Sequence, residues 1–318
     1  MNYLVTGGAG FIGSHLVERL LKEGKRVVCL DNFDEFYDPR RKRENLKFTS
    51  RYSGFRLVEG DLRDPTLLDK IFSEEKIGIV AHLAARAGVR PSIREPLLYA
   101  EVNIRGTLNL LEVCKKYGVS RFVFASSSSV YGNNPKVPFA EEDPVDNPIS
   151  PYAATKKAGE LVCYTYHHLY GLDIACLRYF TVYGPRQRPE MAIHQFARRI
   201  HQGEKISLFG DGGSRRDYTY IDDAIQGTLN ALSREHGYQI YNIGESQTIS
   251  LLELVQEIEK LVGKRAVIEH LPTQAGDVDR TYADISKARK MLDYRPQTDI
   301  RKGLERFVQW YLDEGQKY

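Results

Sequence analysis

Tyr152 and Lys156 stand four residues apart in Ser150-Pro151-Tyr152-Ala153-Ala154-Thr155-Lys156. On a helix that spacing puts both side chains on one face. A tyrosine phenol titrates near pH ~10, and a neighbouring positive charge favours its ionised form. The pair therefore reads as a base that removes a proton from an alcohol near neutrality. Alone, the spacing is common on helices. It gains weight from Ala125-Ser126-Ser127-Ser128-Ser129-Val130-Tyr131-Gly132, where hydroxyls gather at the carboxyl end of an apolar stretch. Hydroxyls in that place suit a substrate oxygen that must be held while it gains or loses a proton.

Reversible alcohol oxidation needs a hydride carrier, and the first residues point to one. Tyr3–Thr6 reads as a buried strand and runs into Gly7-Gly8-Ala9-Gly10-Phe11-Ile12-Gly13, with a helix expected from near Ser14. Glycines in this pattern allow a tight turn, close approach of the backbone to a pyrophosphate, and close packing of helix on sheet. The helix N-terminus presents unpaired N–H groups to the phosphates. The next strand ends in Asp31, an acceptor for the ribose hydroxyls that repels a 2′-phosphate, so NAD is expected rather than NADP. Arg41, Lys42 and Arg43 are the cations that could offset Asp31. Asp61-Leu62 and Leu83-Ala84-Ala85 fall at later strand ends, placed to line the adenine and pyrophosphate.

These residues require a frame that brings strand ends together. Tyr3–Thr6, Arg26–Asp31, Phe55–Glu59, Ile77–Leu83, Arg121–Ser126 and Asp173–Tyr179 read as buried strands, and helices such as Ser14–Lys22 and Leu97–Tyr117 lie between them. That alternation specifies an α/β fold, a doubly wound parallel sheet of Rossmann type that binds ligands at the carboxyl ends of its strands. Beyond about Tyr179 the pattern loosens into loops rich in Gly, Pro and Arg, then returns to helices at Ser250–Leu261 and Ile300–Leu312. The expected division is a cofactor-binding domain over 1–178, with return segments near 217–245, and a smaller, interleaved substrate-binding domain over 179–318. Gln239–Asn242 is the strand expected to rejoin the main sheet.

Composition narrows the function classes. The 318 residues carry a net charge of +3, with 42% hydrophobic and 27% charged residues. That is ordinary globular composition, with no charge excess to suggest a nucleic-acid partner. The one basic run, Arg40-Arg41-Lys42-Arg43, reads first as a solvated helix face and second as a phosphate contact. Cys29, Cys114, Cys163 and Cys176 are far apart, sit among apolar residues, and show no metal spacing. His82 reads as a packed strand-end residue. His167-His168 lacks acidic or cysteine partners, so no metal is expected. Tyr164, Tyr166, Tyr170 and Trp310 read as packing residues. The opening strand and turn show no leader pattern, and no apolar run approaches membrane-spanning length. A cytoplasmic protein without a membrane partner is expected.

Taken together, the glycine turn, Ala125–Gly132, Ser150–Lys156, the run Arg178-Tyr179-Phe180-Thr181-Val182-Tyr183-Gly184-Pro185 and the run Arg215 to Asp223 resemble the extended short-chain dehydrogenase/reductase family, specifically its nucleotide-sugar epimerases. The resemblance spans nearly the whole chain. It implies Ser127 as the serine of a Ser–Tyr–Lys triad with Tyr152 and Lys156. For the cofactor it implies Gly7, Gly10, Phe11, Ile12, Gly13, Asp31, Asn32, Asp61, Leu62, Leu83, Ala84, Ala85, Asn103 and Tyr179, besides Tyr152 and Lys156. For a UDP-sugar it implies Arg90, Ser127, Ser128, Ser129, Thr181, Arg188, Arg216, Gln274 and Asp277, with Arg216 and Asp277 on the diphosphate and ribose. Members usually dimerise through the helices represented here by Leu97–Tyr117 and Tyr152–Tyr170, so a homodimer is expected.

The resemblance also bears on the reaction. Sugar dehydratases place Asp-Glu ahead of Val-Tyr-Gly, and related UDP-glucuronate decarboxylases place a Glu there. This chain has Ser128-Ser129, which favours simple oxidation and re-reduction at C4. Ala87–Ser92, Phe180–Pro185 and Arg188–Ala192 are similar to the subgroup that converts UDP-glucuronate to UDP-galacturonate. Galactose-type enzymes usually carry Asn where Thr181 stands. A C5 carboxylate would take a charge-assisted bond from Arg188, with Thr181, Ser128 and Ser129 completing a clamp. Alternatively, Arg186 and Arg188 bind diphosphate or pair with Glu190. Open alternatives are a UDP-glucose or UDP-N-acetylglucosamine 4-epimerase, a UDP-glucuronate decarboxylase, and a non-catalytic NAD-binding sensor or scaffold.

Overall fold

The computed structural model describes residues 1–272 and 280–317. Its main sheet holds β1 (Asn2–Thr6), β2 (Val27–Asp31), β3 (Phe55–Glu59), β4 (Ile77–His82), β5 (Arg121–Ser127), β6 (Ile174–Tyr179) and the strand Tyr238–Ile243. All residues of β2, β4 and β6 are buried, the mark of strands covered by helices on both faces. β3, expected as a buried strand, is instead the edge of the sheet and has no buried residue, because no strand covers its outer side. Every pairing in this sheet is parallel. The spatial order is Tyr238–Ile243, β6, β5, β4, β1, β2, β3. Chain order therefore reverses between β1 and β4, and a crevice opens above that point at the carboxyl ends.

Alternation along the strands divides the core between the two faces. Val5, Ala81, Val123 and Ala175 pack with Leu16, Val17, Ala224 and Ile225. Their neighbours Leu4, Val80, Phe122 and Ile174 pack with Leu110, Leu111, Cys114 and Cys163. The first cluster runs on without a break into Ile200, Leu208, Leu254 and Phe307, so the C-terminal segments share a core with the sheet. The return strand expected at Gln239–Asn242 lies inside Tyr238–Ile243 and pairs with β6. The smaller layer is made of short pairs: Thr181–Tyr183 with Tyr218–Tyr220, Arg215–Arg216 with Ile249–Ser250, and Lys205–Phe209 with Val267–Leu271. Around them lie the helices Ala192–Gln202, Leu251–Val262, Ser286–Leu292 and Ile300–Trp310.

Two helices depart from the sequence reading in ways that matter for the crevice. The first begins at Phe11 rather than Ser14, with Gly10 as an N-cap that offers no side-chain acceptor. Its first N–H groups are thus left for another partner. The run expected as one helix over Leu97–Tyr117 is broken by a wide, π-type turn at Glu101–Arg105, between helices Pro96–Ala100 and Gly106–Tyr117. That turn directs Asn103 at the chain after β4. Its amide accepts from Arg86 N (2.8 Å) and donates to Arg86 O (3.0 Å) and Thr155 Oγ1 (3.0 Å). The four cysteines are buried and free. No described helix is long and apolar enough to cross a membrane.

Candidate active site

A cleft of about 400 Å³ lies over the carboxyl ends of β1, β2, β4, β5 and β6. Its floor is the glycine turn. Gly7 sits at φ +68°, and a Cβ there would stand 2.8 Å from the Ala84 backbone; one on Gly13 would stand 2.1 Å from Gly7 O. Only glycine lets these backbones meet, and the meeting aims the Phe11 helix N-terminus into the cleft. At the end of β2, Asp31 is 7% exposed and accepts from Ala9 N (3.0 Å) and Phe33 N (2.9 Å). Burial raises its carboxyl above the usual range, against the opposing pull of Lys42 and of those two N–H groups. Each oxygen keeps a second lone pair for a ribose hydroxyl. Asn32 Nδ2 donates to Asp61 Oδ2 at 2.9 Å, and the Arg63 hydrogen bonds hold the Asp61 carboxyl down at about 2.

The helix Pro151–Tyr170 supplies the reactive pair. Ser150 caps it by accepting from Ala153 N (3.1 Å), and Pro151 occupies the first turn, so Tyr152 projects from a fixed helix start. One turn past Lys156 comes Gly159, where a Cβ would stand 2.3 Å from Phe124 Cζ. This close approach brings the Lys156 ammonium to Ala125 O at 2.7 Å. Burial lowers the Lys156 ammonium to about 8. Burial also raises the Tyr152 phenol, against a hydrogen bond with Ser127 and the positive field of Arg188. Burial outweighs both of these, so the phenol sits above its ordinary range. Ser127 Oγ accepts from Ser129 N (3.2 Å) and lies 3.1 Å from Ser129 Oγ. The same hydroxyl that faces Tyr152 thereby caps the turn after β5.

Across the cleft, Thr181 opens the strand beside Tyr218–Tyr220, and Ser128, Ser129 and Arg188 share the lining. Arg188 Nε lies 3.2 Å from Glu190 Oε1, with the two side chains 21% and 37% exposed. Arg186 turns the other way, to Glu18 (2.7 Å), and ties the loop to the first helix. The expected pairing of Arg188 with Glu190 is therefore present, yet Arg188 still faces the cleft. The carboxylates lining the cleft, Asp31, Asp34 and Asp61, all belong to its β2–β3 end; none of the described lining residues near Tyr152 is acidic.

Of the residues named from sequence, Gly7, Gly10, Phe11, Ile12, Gly13, Asp31, Asn32, Asp61, Leu62, Leu83, Ala84, Ala85, Ser127, Ser128, Ser129, Tyr152, Lys156, Tyr179, Thr181 and Arg188 line the one cleft. Asn103 stands behind its wall. Arg90 and Arg216 are not in the lining: the Arg90 guanidinium lies 4.7 Å from the Phe209 ring centre, and Arg216 Nη1 donates to Arg215 O (3.0 Å). Gln274 and Asp277 lie outside the described residues. His82 is buried between Thr6 Oγ1 (2.8 Å) and Thr107 Oγ1 (2.9 Å).

Lys42 corrects the reading of the basic run as one solvated face. Arg40 pairs with Asp38 and Arg43 with Glu59 at the surface, whereas Lys42 is 7% exposed, lines the cleft and donates to Asp34 O at 2.7 Å. Asn45, three residues on, donates to Ala9 O at 3.0 Å. This i, i+3 face toward the glycine turn was a usable signal. Asp34, Phe36, Tyr37 and Arg86 also line the cleft and were missed. They sit on irregular chain, where spacing carries no direction.

The NAD dependent epimerase/dehydratase family matches residues 3–244. A UDP-glucuronate 4-epimerase of Thermodesulfobacterium geofontis is 49% identical over 310 residues, covering 97% of this chain and 95% of its own. The crystal structure of UDP-glucuronic acid 4-epimerase from Bacillus cereus, in complex with UDP-glucuronic acid and NAD, superposes with a TM-score of 0.93 at 40% identity over all of both chains. The UDP-glucose 4-epimerase of Thermotoga maritima, with UDP-glucose, superposes with a TM-score of 0.90 at 36% identity, covering 98% of this chain and 99% of that one. Backbone likeness alone therefore does not separate one sugar from another.

Proposed function

The chain belongs to the NAD dependent epimerase/dehydratase family, and from that premise we propose that it interconverts UDP-glucuronate and UDP-galacturonate by NAD-dependent epimerisation at C4. The observation that carries the choice of sugar is the Arg188, Thr181, Ser128 and Ser129 group facing Tyr152 in a part of the cleft whose described lining has no carboxylate. A guanidinium among hydroxyls suits a C5 carboxylate. No acid among the described lining residues there is available to drive dehydration. The solved Bacillus cereus relative, bound to UDP-glucuronic acid and NAD, supports the same reading.

The residues present fit NAD. Gly7, Gly10 and Gly13 would bare the backbone to its pyrophosphate, Asp31 would offer lone pairs to the adenosine ribose, and Lys156 would hold the nicotinamide ribose. When bound, NAD+ supplies the hydride acceptor and a positive charge beside the Tyr152 phenol. Tyr152 takes the proton from the C4 hydroxyl, and Ser127 holds the oxygen through the change from alcohol to ketone. Lys156 supports the ionised phenol. The same groups serve in reverse after the 4-keto sugar has turned over in the cleft. That intermediate is a β-keto acid, which loses CO₂ when the carboxylate bond lines up with the carbonyl π system. Arg188, Thr181, Ser128 and Ser129 clamp the carboxylate out of that alignment.

By this reading 1–178 with 217–245 chiefly hold the cofactor, and the remainder, with Arg216, Gln274 and Asp277, chiefly takes the UDP-sugar, aided by Arg90 and Ser127 to Ser129 from the first part. The exposed Leu97, Leu161, Tyr164, Leu169 and Tyr170 on Pro96–Ala100 and Pro151–Tyr170 give a homodimer its interface, in a cytoplasmic enzyme. The deciding experiment incubates the purified protein and NAD with UDP-glucuronate and resolves the products. UDP-galacturonate is expected. UDP-xylose would identify a decarboxylase, and turnover of UDP-glucose or UDP-N-acetylglucosamine alone would identify those epimerases. No turnover of any of them would restore the sensor reading.

A further inference from the structure

We propose that Ser126, held by the buried Glu160–Arg178 pair, is a positioning residue that fixes Ser127 opposite Tyr152. Glu160 and Arg178 are each 1% exposed and meet twice, Nε to Oε1 at 2.8 Å and Nη2 to Oε2 at 2.9 Å. Ser126 Oγ donates to the same Oε1 at 2.7 Å. Arg178 also donates to Glu141 O (3.3 Å) and lies 4.8 Å from the Tyr131 ring centre. Three elements that carry the reactive groups thus meet at one point. Glu160 is one turn beyond Lys156 on the Tyr152 helix. Ser126 adjoins Ser127 at the end of β5, and Arg178 adjoins Tyr179 at the end of β6. Ser126 and Arg178 are register partners, as are Ser127 and Tyr179.

The lever is the strand pleat. Ser127 is extended, at φ −152° and ψ 146°, so successive side chains point to opposite faces. Pinning the Ser126 hydroxyl on the helix side sets the pleat, and the pleat sets where the Ser127 hydroxyl points. Stability alone does not account for the pair, since well-packed apolar residues of similar volume often replace a buried ion pair without loss.

The inference rests on the proposed epimerase, and its test compares the NAD-loaded parent with variants on UDP-glucuronate across pH. Besides Ser127, the groups that face Tyr152 are Lys156 from its own helix, whose ammonium lies 6.0 Å from the ring centre, Arg188 from across the cleft, and Tyr99, whose ring lies 6.3 Å away edge-on. Around Glu160 the further groups are Lys157, 3.7 Å away, and Tyr238, whose hydroxyl donates to Glu160 O at 2.9 Å. None of these is altered in Ser126→Ala. Losing one hydrogen bond's worth of positioning should lower kcat about ten-fold, with KM within about two-fold and Tm near the parent's. Because the Ser127 hydrogen bond lowers the Tyr152 phenol, its loosening should also move the acid limb of kcat to higher pH. Ser126→Thr, which keeps the hydroxyl, should recover most of the rate. The double variant Glu160→Leu/Arg178→Met should stay folded and show the same slow, shifted profile. A Ser126→Ala or double variant with the parent's kcat and pH profile overturns the positioning role while the epimerase stands. A parent that turns over no UDP-sugar overturns both.

Discussion

On the cofactor side of the cleft the protein works with backbone and short side chains at strand ends, whereas on the sugar side it works with a long side chain from a loop. Gly7, Gly13, Asp31 and Ala84 are held by contacts between regular elements, and Lys156 is tied to Ala125 O at 2.7 Å. Arg188 pairs with Glu190, both partners partly in solvent, and its guanidinium lies 5.9 Å from the Phe36 ring centre. Such pairs contribute little, typically ~0–1 kcal/mol, and release readily. The difference separates two tasks. On the proposed reading the redox machinery is fixed in advance, while the residue assigned to the sugar carboxylate is held by a weaker, partly solvated contact.

The severest way to break this division is Tyr152→Phe. The ring still packs against Tyr99 and the helix cap is untouched, so NAD retention and UDP-sugar binding should stay at the parent's level. The rate should fall by roughly 10²–10⁴, the usual contribution of general acid–base catalysis. Single-turnover kinetics on UDP-glucuronate, with NAD content measured alongside, check it. A variant within ten-fold of the parent would place the base elsewhere and end the claim that this side is fixed around Tyr152.

The same contrast explains what the sequence made legible. Six of the main strands, their parallel pairing, the return strand at Gln239–Asn242 and the glycine turn follow from apolar periodicity and from φ requirements that only glycine meets, but Phe55–Glu59, read as buried, is an edge strand with no buried residue. Most cofactor-side residues named in advance line the cleft, because a strand end has a defined direction. Asn103 was harder. It stands behind the wall because the helix widens into a π-type turn at Glu101–Arg105, and no local spacing announces that turn. Lys42 was named only together with Arg41 and Arg43 as a cation that could offset Asp31, since four cations in a row look alike until the helix is phased against the sheet. Asp34, Phe36 and Arg86 reach the cleft from loops whose paths depend on tertiary contacts such as the Arg86–Asp34 ion pair. Arg188 was legible only by resemblance.

Arg188→Ala tests the sugar side, with a smaller expected effect. Turnover of UDP-glucuronate should fall roughly 10–100-fold, the value of one or two charge-assisted hydrogen bonds. Any UDP-glucose turnover should change by less than about three-fold, and UDP-xylose should rise as a share of product once the carboxylate is unclamped. Arg188 also lowers the Tyr152 phenol through its charge. Both substrates would lose rate on the acid limb for that reason alone, so the comparison belongs on the plateau of the pH profile. Equal losses there on both substrates would show that Arg188 serves the diphosphate or the phenol, and the division between fixed and selective sides would fail.

The smallest expected effect sharpens the cofactor side itself. Asp31 repels a 2′-phosphate, yet Lys42 lies in the same pocket and opposes its charge. If Asp31 sets the preference, Asp31→Asn should weaken NAD about ten-fold through a lost ribose hydrogen bond and weaken NADP much less, narrowing the gap between them. Lys42→Met should act in the other direction, removing a buried cation beside Asp31 that a 2′-phosphate could meet and widening the preference for NAD by a few-fold. Titrating NAD and NADP into stripped protein by calorimetry reads both changes. A preference unmoved by Asp31→Asn would transfer the choice of cofactor to Lys42 and its helix, and would make this side of the cleft depend on a long side chain just as the sugar side does.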